Sequence, residues 1–142
     1  MTDEDRFRLL VVDDETRLRE ALMRALKGRG YKVTGAASFG DALRALRSTA
    51  FDLLLVDVNL PDATGWDILR LIRAGDHAVP VIVLSAMPPQ TRLVRELRPD
   101  GVLHKPFPMD ALLRLVERAL NGEPSATPGL ETIGTDQVDL ER

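Results

Sequence analysis

Apolar positions along this chain fall into two rhythms. Short apolar-rich runs recur at 8–12 (RLLVV), 31–37 (YKVTGAA, the weakest), 52–56 (DLLLV), 81–84 (VIVL, led in by Pro80) and 101–104 (GVLH). Their length and β-branched content predict strands, and the runs with few polar positions predict strands covered on both faces. Between them the apolar spacing changes to three and four. Leu18, Ala21, Leu22, Ala25 and Leu26 share one helical face, and Gly28 and Gly30 offer a stop. Ser38 and Asp41 have the spacing of a capping box that opens a helix with Ala42, Leu43 and Leu46 inward. A third helix follows Thr64–Gly65, with Ile68, Leu69 and Ile72 on one side. Residues 90–97 form a short helix that Pro99 ends, and Pro108–Asn121 form a last one with Met109, Leu112, Leu113 and Val116 inward and Gly122 beyond.

Five strand–helix repeats predict an α/β fold with a mostly parallel sheet covered on both faces. Right-handed crossovers leave a doubly wound arrangement as the main solution. Residues 1–7 read as a leader and 8–121 as one domain. Residues 122–142 show no apolar periodicity and read as a flexible tail or linker.

Composition narrows the function. The 142 residues carry a net charge of -3 and no cysteine, so thiolate chemistry and cysteine-ligated metal are excluded. The balance gives no reason to expect direct binding of nucleic acid. No apolar stretch approaches a membrane span, and the start, MTDEDRFR, does not resemble a signal peptide, so a cytoplasmic location is the expectation.

The chemistry sits where the strands end. Ligands of open α/β sheets bind beyond the carboxyl ends of the strands. There the sequence places Asp13–Asp14, Asp57 with Asn59 two residues on, Ser85, and Lys105. Asp57 closes an apolar run, and a charge in that position is costly unless paired or metal-bound. If the strands are neighbours, three carboxylates converge, and unit charges about 4 Å apart repel by roughly 4 kcal/mol at an effective dielectric of 20. All-oxygen ligands suit Mg²⁺. Lys105 adds a charge for an anion and Ser85 a hydroxyl donor. Together they describe phosphoryl transfer, with Asp57 as nucleophile and phosphoacceptor.

Taken singly, these residues have plainer readings: Asp13–Asp14 as a helix cap, Asp57 as turn chemistry, Lys105 as a solvated lysine. His104 should point away from Lys105 by strand alternation. His77 reads as a loop residue, Trp66 as packing, and Arg92, Arg95 and Arg98 as a solvated helix face.

The set Asp13–Asp14, Asp57 in DVNLPDATGWDIL, Ser85 in VIVLSA and Lys105 in HKPF resembles the receiver domains of two-component response regulators, over about residues 8–121. The resemblance implies a flavodoxin-like five-stranded sheet of order 2-1-3-4-5. It implies Mg²⁺ held by Asp14, Asp57 and the backbone carbonyl of Asn59, with Asp13 acting mostly through water. It further implies that a histidine kinase or histidine phosphotransfer protein phosphorylates Asp57. Ser85 and Lys105 then hold the phosphoryl oxygens, their movement carries the signal, and the Lys105–Pro106 bond is cis. Such a domain autohydrolyses its phosphoryl group and is not a turnover enzyme on a separate substrate. Its output passes to a downstream protein target, or to a C-terminal output domain if the chain is a fragment. A homodimer through the fourth helix, fifth strand and fifth helix stays open.

Two departures stand out. Val102 occupies the place where receivers usually carry Tyr or Phe as a rotamer switch, and the segment from Ser85 to Lys105, with Pro88, Pro89 and Pro99, is about two residues short. Asn59 and Met87 occupy the positions that tune phosphoryl lifetime in the family, and bulky Met87 is expected to slow entry of water. The departures keep a phosphorylation-independent interaction module as the first alternative. A haloacid-dehalogenase-type phosphatase is the second. It is disfavoured because Asn59 stands where those enzymes typically carry an acid/base Asp.

Overall fold

The computed structural model describes residues 6–75, 79–88 and 90–123, so His77, Pro89, most of the leader and residues 124–142 lie outside it. Strands β1 (Arg8–Val12), β2 (Lys32–Ala36), β3 (Leu53–Asp57), β4 (Val81–Ser85) and β5 (Gly101–His104) alternate with helices α1 (Thr16–Gly28), α2 (Phe39–Ser48), α3 (Gly65–Ala74), α4 (Thr91–Leu97) and α5 (Met109–Leu120). The strands form one parallel sheet of order β2-β1-β3-β4-β5, the flavodoxin-like topology that the resemblance implied. Among the described residues no helix is long and apolar enough to cross a membrane.

Side-chain alternation divides the core in two. Leu10, Val12, Leu54, Val56, Val83 and Val102 point to one face, against Ala42 of α2, Ile68 and Leu69 of α3, and Leu93 and Leu97 of α4. Leu9, Val11, Leu53, Leu55, Ile82 and Leu84 point to the other, against Leu22 and Leu26 of α1 and Leu112, Leu115 and Val116 of α5. All five residues of β3 and of β4 are buried. Each fully buried Leu, Val or Ile contributes about 1.5–3 kcal/mol of transfer free energy, so the central strands anchor the positions at their ends. Trp66 belongs to the first cluster and is 6% exposed, in keeping with a packing role.

The local rules hold with three adjustments. Strand two is shorter than 31–37, because Tyr31 N–H turns back to the Leu26 carbonyl after Gly30, whose φ of 94° closes the turn. Strand three starts after Asp52, whose carboxylate instead accepts from the Arg8 amide at 2.8 Å, and it takes in Asp57. Only half of the expected box forms at α2. Ser38 Oγ accepts from the Asp41 amide, but the Asp41 carboxylate pairs with Arg44. Asp62, from the loop after β3, covers that helix start instead, accepting from Phe39 and Gly40 amides at 2.8 and 3.0 Å. Those amides hold its carboxyl below the usual range, the Gly40 bond first. The complete capping box is at Thr64 and Asp67 on α3.

The short helix α4 is fastened at its C-terminal end. Arg98 takes a left-handed conformation there, with φ 47°. Arg73 of α3 reaches across and donates to the Leu97, Val79 and Arg98 carbonyls at 3.0, 3.2 and 2.8 Å, and to Asp100 Oδ1 at 3.0 Å. Asp100 Oδ1 also accepts from the Val81 amide. The planar guanidinium thus joins α3, the end of α4 and the start of β4. Removing one partner of several part-buried bonds costs about 1–3 kcal/mol, so Arg73→Ala is expected to lower unfolding free energy by that order. Arg73→Lys should recover little, because an ammonium cannot reproduce the planar fork. Urea unfolding measures the loss, and hydrogen exchange at Val94–Arg98 should report it locally.

Candidate functional site

The candidate centre lies at the carboxyl edge of the sheet. Asp13 directly follows β1 and Asp57 ends β3, and pairing of Val12 with Val56 brings the two strand ends side by side. Both side chains are buried: Asp13 is 0% and Asp57 4% exposed, whereas Asp14 faces solvent. One carboxylate oxygen from each of Asp13, Asp14 and Asp57 lies within 4.8 Å of the others.

Lys105 supplies the opposing charge. Its Nζ lies 3.1 Å from Asp13 Oδ2 and 3.3 Å from Asp57 Oδ2. It extends from the residue after β5, where the Lys105 amide donates to the Ser85 carbonyl at 2.7 Å and the Lys105–Pro106 bond is cis, as expected from the resemblance. His104 is exposed.

Electrostatics follows from this placement. Burial pushes the Asp57 carboxyl up, and the Asp13 charge pushes it further; Lys105 and the Asn59 amide oppose them without cancelling them. For Lys105, burial alone would lower the ammonium's value, but the bond to Asp13 and the charges of Asp13 and Asp57 outweigh it, so the net shift is upward.

Three carboxylates against one ammonium leave the cluster net negative, and its donors are all oxygens. That donor set fits a hard divalent cation such as Mg²⁺. Asn59, also expected near the metal, is exposed in the loop after β3 and forms a bridge with Thr64, while its amide lies 3.4 Å from Asp57 Oδ1.

Ser85 is 5% exposed at the end of β4, but its hydroxyl is engaged locally. Oγ donates to the Met87 carbonyl at 2.5 Å and accepts from the Met87 amide at 3.2 Å. Met87 itself is 66% exposed. Val102 stands apart from the carboxylates, fully buried in the cluster that holds Leu93 and Leu97. The structure therefore brings together Asp13, Asp14, Asp57 and Lys105, holds Ser85 beside them through its backbone, and places Met87 and Val102 outside the charged group.

Two supporting residues escaped sequence reasoning. Arg19 of α1 donates to the Asp13 carbonyl at 2.8 Å. Gly65 opens α3 directly beneath Asp57, so that a Cβ there would lie 2.4 Å from the Asp57 carbonyl oxygen and 2.8 Å from Val56 Cγ1. A glycine in a helix's first turn, where it costs helix propensity, was the available signal for the second. Arg19 had none.

Comparison with known proteins agrees with this geometry. Residues 9–117 match the family model described as response regulator receiver domain. The DNA-binding response regulator MtrA of Mycolicibacterium smegmatis is 33% identical over 140 residues, covering 97% of this chain and 61% of that protein. The transcriptional regulatory protein CusR of Escherichia coli K12 is 33% identical over 115 residues, covering 80% and 51%. The chain thus spans between about half and three fifths of these relatives. Among solved structures, a CheY-like receiver domain protein of Methanospirillum hungatei superposes with TM-score 0.79 at 25% identity, covering 83% of this chain and 96% of that one. TrrA of Thermotoga maritima, in complex with Mg²⁺–BeF, gives TM-score 0.72 at 29% identity, covering 79% and 97%.

Two outcomes follow from the packing and charge. Gly65→Ala forces a Cβ onto backbone, and overpacking of this kind costs about 1–3 kcal/mol; urea unfolding should show that loss. Asp57→Asn should stabilise the protein at neutral pH in chelator. With its folded value raised above 3.8, Asp57 keeps its proton in the folded state where the unfolded chain has released it. The Asp57 contribution to wild-type stability therefore falls as pH rises across that window, and the variant escapes that fall. Its advantage should vanish below the free value and grow upward from it, as thermal melts across the acid range will show.

Proposed function

The chain belongs to the response regulator receiver domains of two-component systems, signalling proteins rather than turnover enzymes, and on that premise we propose that Asp57 is its phosphoacceptor. The observation that carries this reading is Lys105 Nζ set within ion-pair distance of both buried carboxylates. Residues 8–121 form the receiver, 1–7 a leader and 122–142 a tail or linker. The phosphodonor is a phosphohistidine on a histidine kinase or phosphotransfer protein. An Asp57 carboxylate oxygen attacks the phosphorus, the P–N bond breaks, and the released imidazole regains its electron pair and takes up a proton. The product is an aspartyl phosphate, which water later hydrolyses.

Asp13, Asp14 and Asp57 with the backbone carbonyl of Asn59 would hold Mg²⁺, which when bound neutralises phosphoryl charge. Lys105, already beside Asp57, keeps its ammonium on the new phosphoryl oxygens. Ser85 reaches them only by giving up its bonds to Met87, and that exchange starts the signal. Val102 is enclosed and has no outward rotamer role, and Arg73 fastens the far end of α4. The change is therefore concentrated in the turn after Ser85 and the start of α4. Met87 slows entry of the hydrolytic water.

The receiver makes no direct contact with nucleic acid and works in the cytoplasm. It passes its signal to a downstream protein, to an output domain in a longer chain, or through a homodimer. MtrA and CusR are named as DNA-binding and transcriptional regulators, so nucleic acid would be met by such an output domain. The enclosure of Val102 favours one second reading, an interaction module independent of phosphorylation.

Incubation with Mg²⁺ and acetyl phosphate should add one phosphoryl mass to the wild type and none to Asp57→Asn, with amide shifts spreading from Ser85 through 86–88 into α4. Mg²⁺ alone should raise the melting temperature of the wild type more than that of the variant. Absence of an adduct from acetyl phosphate and from a cognate kinase would leave the interaction module. An adduct without shifts beyond Ser85 would reject the output route.

A further inference from the structure

The amino edge of the sheet, opposite the acidic cluster, carries charge that phosphoryl chemistry does not use. Arg6, Arg8, Lys27, Tyr31 and Lys32 line a cleft of about 390 Å³. Among the described residues, Glu117 of α5 acts on Tyr31, where Arg29 opposes it, and the Asp52 carboxylate holds the Arg8 amide. An apolar groove of about 490 Å³ adjoins the cleft, walled by Leu46, Leu54, Leu71, Ile72 and Val79. Thr49 and Phe51 border both, so the two form one surface, basic at one end and apolar at the other. Leu71, on its rim, is 47% exposed.

The charge of the chain is distributed to match. The whole is -3, yet residues 1–5 hold three acids and no base, and residues 124–142 hold four acids (Glu131, Asp136, Asp139, Glu141) and one base, Arg142. Residues 6–123 are therefore net positive by three. In the C-terminal segment acids interleave with Leu130, Ile133, Val138 and Leu140, the pattern that a joined basic and apolar surface accepts. The chain also leaves α5 near the cleft, because Glu117, in the last turn of α5, acts on Tyr31. Seven residues from Glu123 to Leu130 span up to roughly 25 Å when extended.

We propose that the acidic segment 130–142 of this chain docks on this surface, its carboxylates on Arg8, Lys27 and Lys32 and its apolar side chains in the groove beyond Phe51. Exposed ion pairs are individually weak. The short tether compensates, because it makes the encounter intramolecular at high effective concentration. The C-terminal segment then covers the amino edge of the sheet, and a partner of like chemistry must displace it to dock there.

The absence of cysteine makes the test direct. A nitroxide on Thr135→Cys in the full chain should selectively broaden the amides of Arg8, 27–34 and 49–54. The broadening should be lost at about 1 M salt, where the Debye length is about 3 Å, and lost in Lys27→Glu/Lys32→Glu with its spectrum still dispersed. Three results would each overturn the proposal: no selective broadening in a well-dispersed wild-type spectrum; broadening that survives both salt and charge reversal; or the same broadening in a mixture of spin-labelled and separate isotope-labelled chains, which assigns the surface to a second copy or another partner.

Discussion

Everything at the carboxyl edge depends on one ammonium held between two buried carboxylates. Order β2-β1-β3-β4-β5 makes β1 and β3 neighbours, and neighbouring strands lie about 4.8 Å apart. Asp13 and Asp57 are therefore forced together in a place water barely reaches. Burial raises the cost of the Asp57 charge, and the neighbouring Asp13 charge adds to it. Lys105 relieves that repulsion from β5, two strands away from β3, which a four-carbon side chain can span. The remaining negative charge is what a divalent cation answers. The same excess charge makes the site costly to stability when no cation is bound.

Stiffness around this centre is uneven. Apolar residues fill both faces of the central strands, and α4 is fastened at its end by Arg73. The turn from Ser85 to Met87 is held by two short-range bonds of one hydroxyl, with Met87 in solvent. Rearranging that turn disturbs little buried surface, whereas moving Val102 would open the core. The cheapest route for a change at Asp57 therefore runs through the turn.

Opposite signs of charge gather at the two edges of the parallel sheet. Three carboxylates outnumber Lys105 at one end of the strands, and Arg8, Lys27 and Lys32 line a cleft at the other, so the edges suit different occupants. The first offers a hard divalent cation an all-oxygen donor set, and the second is a basic cleft that runs into an apolar groove.

Strand and helix placement could be read from the sequence because burial imposes its period on neighbouring positions, so that Leu53–Val56 or Ile68–Leu69–Ile72 announce their own faces. The acidic and basic site residues were legible for a related reason: a charge closing an apolar run is conspicuous wherever it occurs. Their convergence was not, since Asp13 and Lys105 meet across 92 residues and only strand order brings them together. Tertiary structure alone decided that Asp62 rather than Asp41 caps α2, that Arg19 supports Asp13, that Gly65 makes room beneath Asp57, and that the Ser85 hydroxyl turns to Met87. Each of these depends on which groups the fold brings within reach of a donor, an acceptor or a small volume. Local sequence states which groups are present, but distance in the folded chain selects the partners.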